Sequence, residues 1–208
     1  VSDEEVYETA KKNLYDFLKK GILFLDEKKC LYIYRQKTDD HAQYGIMACV
    51  NAADYESGVI KRHELTRNDK EIDRVRHIDR VNAQTGPVLM TYKASKAIDL
   101  AVNTIVKGDP EYDFTAEDGI AHTVWIVEDD GLIGQIQAEF GNVDSLYIAD
   151  GHHRASAAAA VARMRRERNA SHVGTEEYNY IMALICPHDQ LNVKDYNRVV
   201  RDLGGLDE

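Results

Sequence analysis

The sequence has little of what marks linkers, cross-linked scaffolds or membrane spans. Only three prolines occur in 208 residues, and no Pro-, Gly- or Ser-rich stretch divides the chain, so a single domain over residues 1–208 is expected. The three cysteines, Cys30, Cys49 and Cys186, are odd in number, far apart and without a CxxC pair. That argues against a disulfide scaffold and for a reducing compartment. No apolar run is long enough to span a bilayer. The N-terminus carries an acidic amphipathic segment in place of a signal peptide, so a cytoplasmic protein with no membrane partner is expected. Positive charge is also in deficit, with 26 Lys and Arg against 36 Asp and Glu and a net charge of −10. Neutralising DNA phosphates takes concentrated Lys and Arg, so this balance speaks against a DNA partner. The chain opens on Val1 rather than Met, which reads as a piece of a longer polypeptide.

What is present is enough apolar residue for a core, 44% of the chain. Ser2-Asp3-Glu4-Glu5 is a capping box, followed by Val6, Ala10, Leu14, Phe17 and Leu18 at helical spacing up to Gly21. Apolar runs at Ile22–Leu25, Cys30–Tyr34 and Tyr44–Val50 read as an antiparallel meander. A charged helix is expected from about Asp69 to Ala83, with Asn68 as cap and Glu71 answering it, stopped by Thr85-Gly86-Pro87. Strands follow at Val88–Tyr92, Thr123–Glu128, Leu146–Ala149 and Tyr178–Cys186. Helices are expected at Ser95–Val106, Leu132–Phe140, Arg154–Asn169 and Asp195–Leu203. The fold class is α+β, a mixed sheet with flanking helices.

One stretch, Tyr147 to Asn169, carries chemistry. A strand ends in Asp150-Gly151, two histidines and an arginine follow, and the chain becomes a run of alanines. The first turn of a helix has free N–H groups and a partial positive charge. Gly151 lacks a Cβ that would hold a phosphate off the backbone, and Arg154 adds a planar fork of donors. The alanines let the helix lie close on a sheet. Read from residues alone, the stretch is equally a plain Asp-Gly turn before an alanine-rich helix, with its histidines on the surface. A metal site is not favoured, because His152 and His153 are adjacent and no HExxH or i, i+4 histidine pair accompanies them.

Asp150-Gly151-His152-His153-Arg154 resembles the DGHHR motif of the free serine kinases, which phosphorylate L-serine with ADP or ATP. More loosely, it is similar to the Gly-Glu-Arg-Arg box of ParB-like partition proteins and the Gly-Cys-His-Arg box of sulfiredoxins, members of the same superfamily. The chain as a whole resembles an uncharacterised bacterial and archaeal family of that superfamily. The likeness to the kinase covers about Lys61 to Tyr92 and Leu146 to Ala162, with residues 94–144 as an insertion. It implies a ParB/sulfiredoxin-like nucleotide-binding domain in which Asp150, Gly151, His152, His153 and Arg154 hold phosphates.

A second stretch, Ile60 to Arg80, is almost entirely charged outside the stripe Ile72, Val75 and Ile78. Most of it, Glu71 included, reads as a solvated helix face. His63-Glu64 falls in a loop before that helix, and loops carry catalytic groups. In the serine kinases a His-Glu pair precedes a Lys-Glu-led helix and its glutamate is the catalytic base. The resemblance therefore implies Glu64 as base, His63 in the substrate site, and Lys70-Glu71 at the helix start. The expected function is transfer of a phosphoryl group from ADP or ATP to a hydroxyl such as that of free L-serine. Mg²⁺ would bridge the phosphates, with Asp150 as the nearest carboxylate. The alternative is a non-catalytic, ParB-like nucleotide-binding protein. A sulfiredoxin-type activity needs a cysteine in the box, and His152 stands there instead.

Overall fold

In the computed structural model, residues 3–192 and 200–202 are described. Eight strands form one mixed sheet in the order β3-β7-β4-β8-β2-β1-β6-β5. In chain order the elements are α1 (Asp3–Lys19), β1 (Leu31–Lys37), β2 (Ala42–Asn51), α2 (Ala52–Ser57), β3 (Ile60–Lys61), α3 (Asn68–Val81) and β4 (Val88–Tyr92). Then come α4 (Lys96–Ile105), β5 (Tyr112–Thr115), β6 (Ala121–Val127), α5 (Asp130–Phe140), β7 (Leu146–Asp150), α6 (His152–Arg168) and β8 (Tyr180–Pro187). Two pairs, β3 with β7 and β4 with β8, are parallel, and the others are antiparallel. The architecture is α+β. Among the described residues, no helix is long and apolar enough to cross a membrane.

Strand side chains alternate between the two faces of a sheet, and here the alternation is asymmetric. Ile33, Ile46, Met90, Ile148, Ala183 and Ile185 are at most 3% exposed and share one core with Ala52, Ile98, Ala101, Ile136, Ala155, Ala158 and Ala162 from the helices. Helices α2 to α6 thus gather on one face, and α1 packs outside them on α3. There Tyr7 donates from its hydroxyl to Asp73 (2.6 Å), and Arg80 pairs with Glu8. On α6, Ala155, Ala157, Ala158, Ala159 and Ala162 are all buried. Methyl side chains let neighbouring elements approach closely without the entropy cost of ordering long ones. Residues 94–144 supply α4, β5, β6 and α5; Ile98, Ala101, Trp125, Val127 and Ile136 make α4, β6 and α5 part of the core, whereas β5 is exposed along its length.

Several expectations are corrected. Ile22–Leu25 forms no strand. The N–H groups of Ile22 and Leu23 both donate to the Phe17 carbonyl (2.9 and 3.3 Å), closing the C-terminus of α1 and leaving those four apolar side chains exposed. Asn68 is the first residue of α3 rather than its cap; Arg67 precedes it in extended conformation. Asn82, at φ 58°, ends α3 two residues before the expected limit. Helix α6 starts two residues earlier than expected, so His152 and His153 lie in its first turn. The short elements α2, β3 and β5 were not expected. Ser2 of the capping box lies outside the described residues, as does most of the helix expected at Asp195–Leu203.

Cys186 is buried, Cys30 half-buried and Cys49 exposed, all as free thiols. Burial pushes the Cys186 thiol up to about 11, so it behaves as a small apolar group. It also crowds Gly45, where an added Cβ would sit 2.5 Å from Leu184 Cδ1 and 2.8 Å from Cys186 Sγ. Gly45→Ala is therefore expected to destabilise the fold by about 1–3 kcal/mol through overpacking. Gly134, inside α5, has nothing within 4 Å of its Cβ position, and Gly134→Ala should stabilise by about 0.5–1 kcal/mol. Urea unfolding of both variants checks the opposite signs.

Candidate functional site

The site forms where β7 ends and α6 begins. Gly151 turns the chain in the left-handed region (φ 93°, ψ 32°), and no side chain caps the helix. The first intrahelical bond runs from Ala155 N to Gly151 O (3.0 Å). The preceding N–H groups, of His152, His153 and Arg154, are those a helix leaves without an internal partner. Arg154 folds back over the turn. Its Nη2 donates to Asp150 Oδ2 and its Nη1 to the Pro87 carbonyl, both at 2.6 Å. The guanidinium occupies the space a Cβ would take on Gly151, with Nε 2.8 Å from that position. The positive φ is what favours glycine here, since L side chains rarely adopt that conformation.

His63 and Glu64 reach this turn from 88 residues away. Strand β3 runs parallel to β7, with Ile60 beside Leu146 and Lys61 beside Tyr147. The pairing ends at Lys61, and the chain that follows it runs on beside the end of β7. Glu64 Oε2 lies 3.4 Å from His152 Nδ1, and the His63 ring stands edge-on to that of His152 with centroids 4.5 Å apart. His63 and Glu64 are exposed, whereas His152 is 5% exposed. Among the described residues its Nε2 has no hydrogen-bond partner, and neither has the buried Nδ1 of His153. Burial holds His152 below the ordinary imidazole value, opposed by the Glu64 carboxylate, so the neutral ring is favoured.

All seven residues expected at the site, His63, Glu64, Asp150, Gly151, His152, His153 and Arg154, therefore lie on one turn and the loop beside it. Among the described residues, His63, Glu64 and His152 form the one group of three or more His, Cys, Asp or Glu side chains whose ligand atoms could share a metal ion. A metal motif read along the sequence would lie on one element, whereas these donors come from two segments. Asp150, the expected Mg²⁺ carboxylate, is exposed but already holds Arg154.

Arg154 also lines a cavity of about 420 Å³ with Arg74, His77, Ile78, Gln84, Thr85 and Gly86. Among the described residues no carboxylate lines it, so two arginines and a histidine make it a fit for an anion. Arg74, His77 and Ile78 sit at helical i, i+3, i+4 spacing on α3. That spacing was visible in the sequence, but nothing there showed that Arg154 would complete the wall.

Glu71 was expected to be a solvated charge. Instead its Oε2 accepts from Ser156 Oγ on α6 (2.5 Å) and from Thr66 Oγ1 (2.8 Å), and so ties α3 to α6 and to the Glu64 loop. The Ser156 bond holds this carboxyl below its ordinary 4.5.

The whole chain, residues 1–208, matches the family model described as "Protein of unknown function (DUF1015)", and the chain belongs to that family. No curated protein matches it, and no solved structure does.

Glu71→Gln keeps the shape and removes the charge, and is expected to cost about 1.5–3 kcal/mol at neutral pH, the range for hydrogen bonds to a charged group. Because the folded-state value is depressed, that contribution is fully present above pH 4.5 and is lost as pH falls through the depressed value. The stability gap between wild type and variant should therefore narrow on acidification. A gap that stays constant down to about pH 3 would place the role of Glu71 in packing instead.

Proposed function

We propose that the turn at Asp150–Arg154 binds the phosphates of ADP or ATP and that the protein transfers a phosphoryl group to a small hydroxyl compound such as free L-serine. The observation that carries this reading is the convergence of an uncapped helix N-terminus, the Arg154 fork and the Glu64 carboxylate, supplied by two distant segments. Resemblance of Asp150-Gly151-His152-His153-Arg154 to the serine kinase motif supports the same reading, as does its likeness to the phosphate-binding boxes of the ParB/sulfiredoxin-like superfamily.

Phosphoryl transfer asks little covalent chemistry of a protein; positioning and charge stabilisation dominate. The N–H groups of His152, His153 and Arg154 donate to phosphate oxygens, and the helix dipole adds partial positive charge. Arg154, pinned by Asp150 and Pro87, presents its remaining N–H groups without first having to be ordered. The cavity beside it, with Arg74 and His77, takes a further anionic part of the ligand. Asp150 would hold the Mg²⁺ of the nucleotide, since that ion needs only one or two carboxylates besides phosphate oxygens and supplies neutralising charge. Glu64, exposed on its loop, accepts the proton of the attacking hydroxyl.

Incubation with ADP or ATP, Mg²⁺ and a panel of hydroxyl compounds that includes L-serine should yield a phosphorylated product. Positioned bases contribute about 10²–10⁴-fold, so Glu64→Gln should cut turnover by that factor and leave nucleotide affinity almost unchanged. Arg154→Ala should abolish the melting shift that the nucleotide produces. A shift without any product would favour the non-catalytic, ParB-like alternative. No shift with ADP, ATP, CTP or pyrophosphate would overturn both.

A further inference from the structure

His152 and Glu64 face each other at 3.4 Å from Nδ1 to Oε2. A charge-assisted N–H···O bond closes to about 2.7–2.9 Å, so this spacing is too wide for one. It does match the edge of a tetrahedral metal site, where two ligands bonded at about 2.0–2.1 Å lie about 3.3–3.4 Å apart. His63 stands against the same imidazole, and one ligand atom from each of the three residues lies within 4.8 Å of the others.

The burial of His152 is a separate observation that points the same way. The residue is 5% exposed, its Nε2 has no hydrogen-bond partner, and its Nδ1 has only the long approach to Glu64. A buried nitrogen left in that condition costs about 1–3 kcal/mol; a metal ion bound at Nδ1, the nitrogen that faces Glu64, relieves that atom and leaves Nε2 unpaired. Glu64 and His63 are exposed, so an ion enters from solvent without any opening of the core.

We infer that His63, Glu64 and His152 form a binding site for one divalent transition-metal ion of the zinc class. Two imidazoles and one carboxylate suit Zn²⁺, Co²⁺, Fe²⁺ or Ni²⁺, whereas Mg²⁺ and Ca²⁺ prefer sets made of oxygen alone. Three protein ligands leave at least one coordination position for water or a substrate atom. The inference is independent of phosphoryl transfer. A bound ion would occupy the carboxylate assigned there as proton acceptor, so the two uses of Glu64 exclude each other at any one moment.

The test uses the whole chain, stripped with a chelator and titrated with Co²⁺ by visible absorption and with Zn²⁺ by calorimetry. One equivalent should bind, and Co²⁺ should show the intense absorption of a low-coordinate site. His63→Ala and Glu64→Gln, both at exposed positions, should each weaken binding by at least about a hundredfold, since loss of even an outer partner costs 10–100-fold. His172→Ala, at a histidine paired with Glu176 and Tyr178 elsewhere, should bind like wild type. Absence of stoichiometric binding would overturn the inference, and so would binding that survives both ligand substitutions. The nucleotide melting shift, measured with Mg²⁺ and no transition metal, reports on the phosphate reading alone, so failure of either reading is told apart from failure of the other.

Discussion

The site depends on a strand of two residues. Ile60 and Lys61 pair in parallel with Leu146 and Tyr147 at the edge of the sheet, and that short contact sets where the next residues go. A parallel neighbour carries its chain forward in the same direction, so the loop after β3 emerges beside the loop after β7. A shift of one residue in this register would move Ile60 from the core face to the opposite one. Ile60 is 2% exposed, so burial of that side chain fixes the register and, through it, the position of His63 and Glu64.

Helix packing makes the same arrangement stiff. Each of the two strands feeds a helix on the same side of the sheet, α3 after β3 and α6 after β7, and the two helices lie against one another. The alanines of α6 permit close approach, and polar ties hold the pair at both ends. Near the site, Glu71 joins Ser156. At the far end, Arg165 reaches Asp79 (3.0 Å) and Asn82 (2.6 Å), while Arg166 holds Glu56 on α2 (2.8 Å). The arginines at the C-terminus of α6 therefore do more than complement a dipole; they bind two neighbouring helices.

The long periodic elements were legible from the sequence, and the short ones were not. The strand at Val88–Tyr92 and the helix before Gly21 carry clear period and punctuation, and both form as expected. Ile22–Leu25 looked like a strand because an apolar run carries no information about its pairing. The backbone of Ile22 and Leu23 is consumed by the end of α1 instead. The strand–turn–helix junction at Asp150–Arg154 was legible, since such a junction is local. What joins it to Glu64 is a pairing of residues 86 positions apart with two rungs, too short to leave a pattern. The role of Glu71 was hidden for the same reason, because its partner Ser156 lies 85 residues away.

The chain's charge of −10 and its cationic turn are compatible because the two act over different ranges. Net charge sets the field felt at a distance, which salt screens over about 8–10 Å. In the phosphate-binding reading proposed above, binding at the turn would be decided inside that length, by N–H groups and a guanidinium fixed in place. Arg154 is the clearest instance. Two bonds of 2.6 Å, to Asp150 and to the Pro87 carbonyl, spend part of its donor capacity on holding the group still. Without them a long side chain would lose up to about 2 kcal/mol of rotamer entropy when a ligand ordered it. The Asp150 carboxylate that does the holding also partly cancels the arginine's charge, so the site gives up some long-range attraction in exchange for a preset direction. The carboxylates around the turn thus leave it little net positive charge at long range, whatever its guanidinium does at contact.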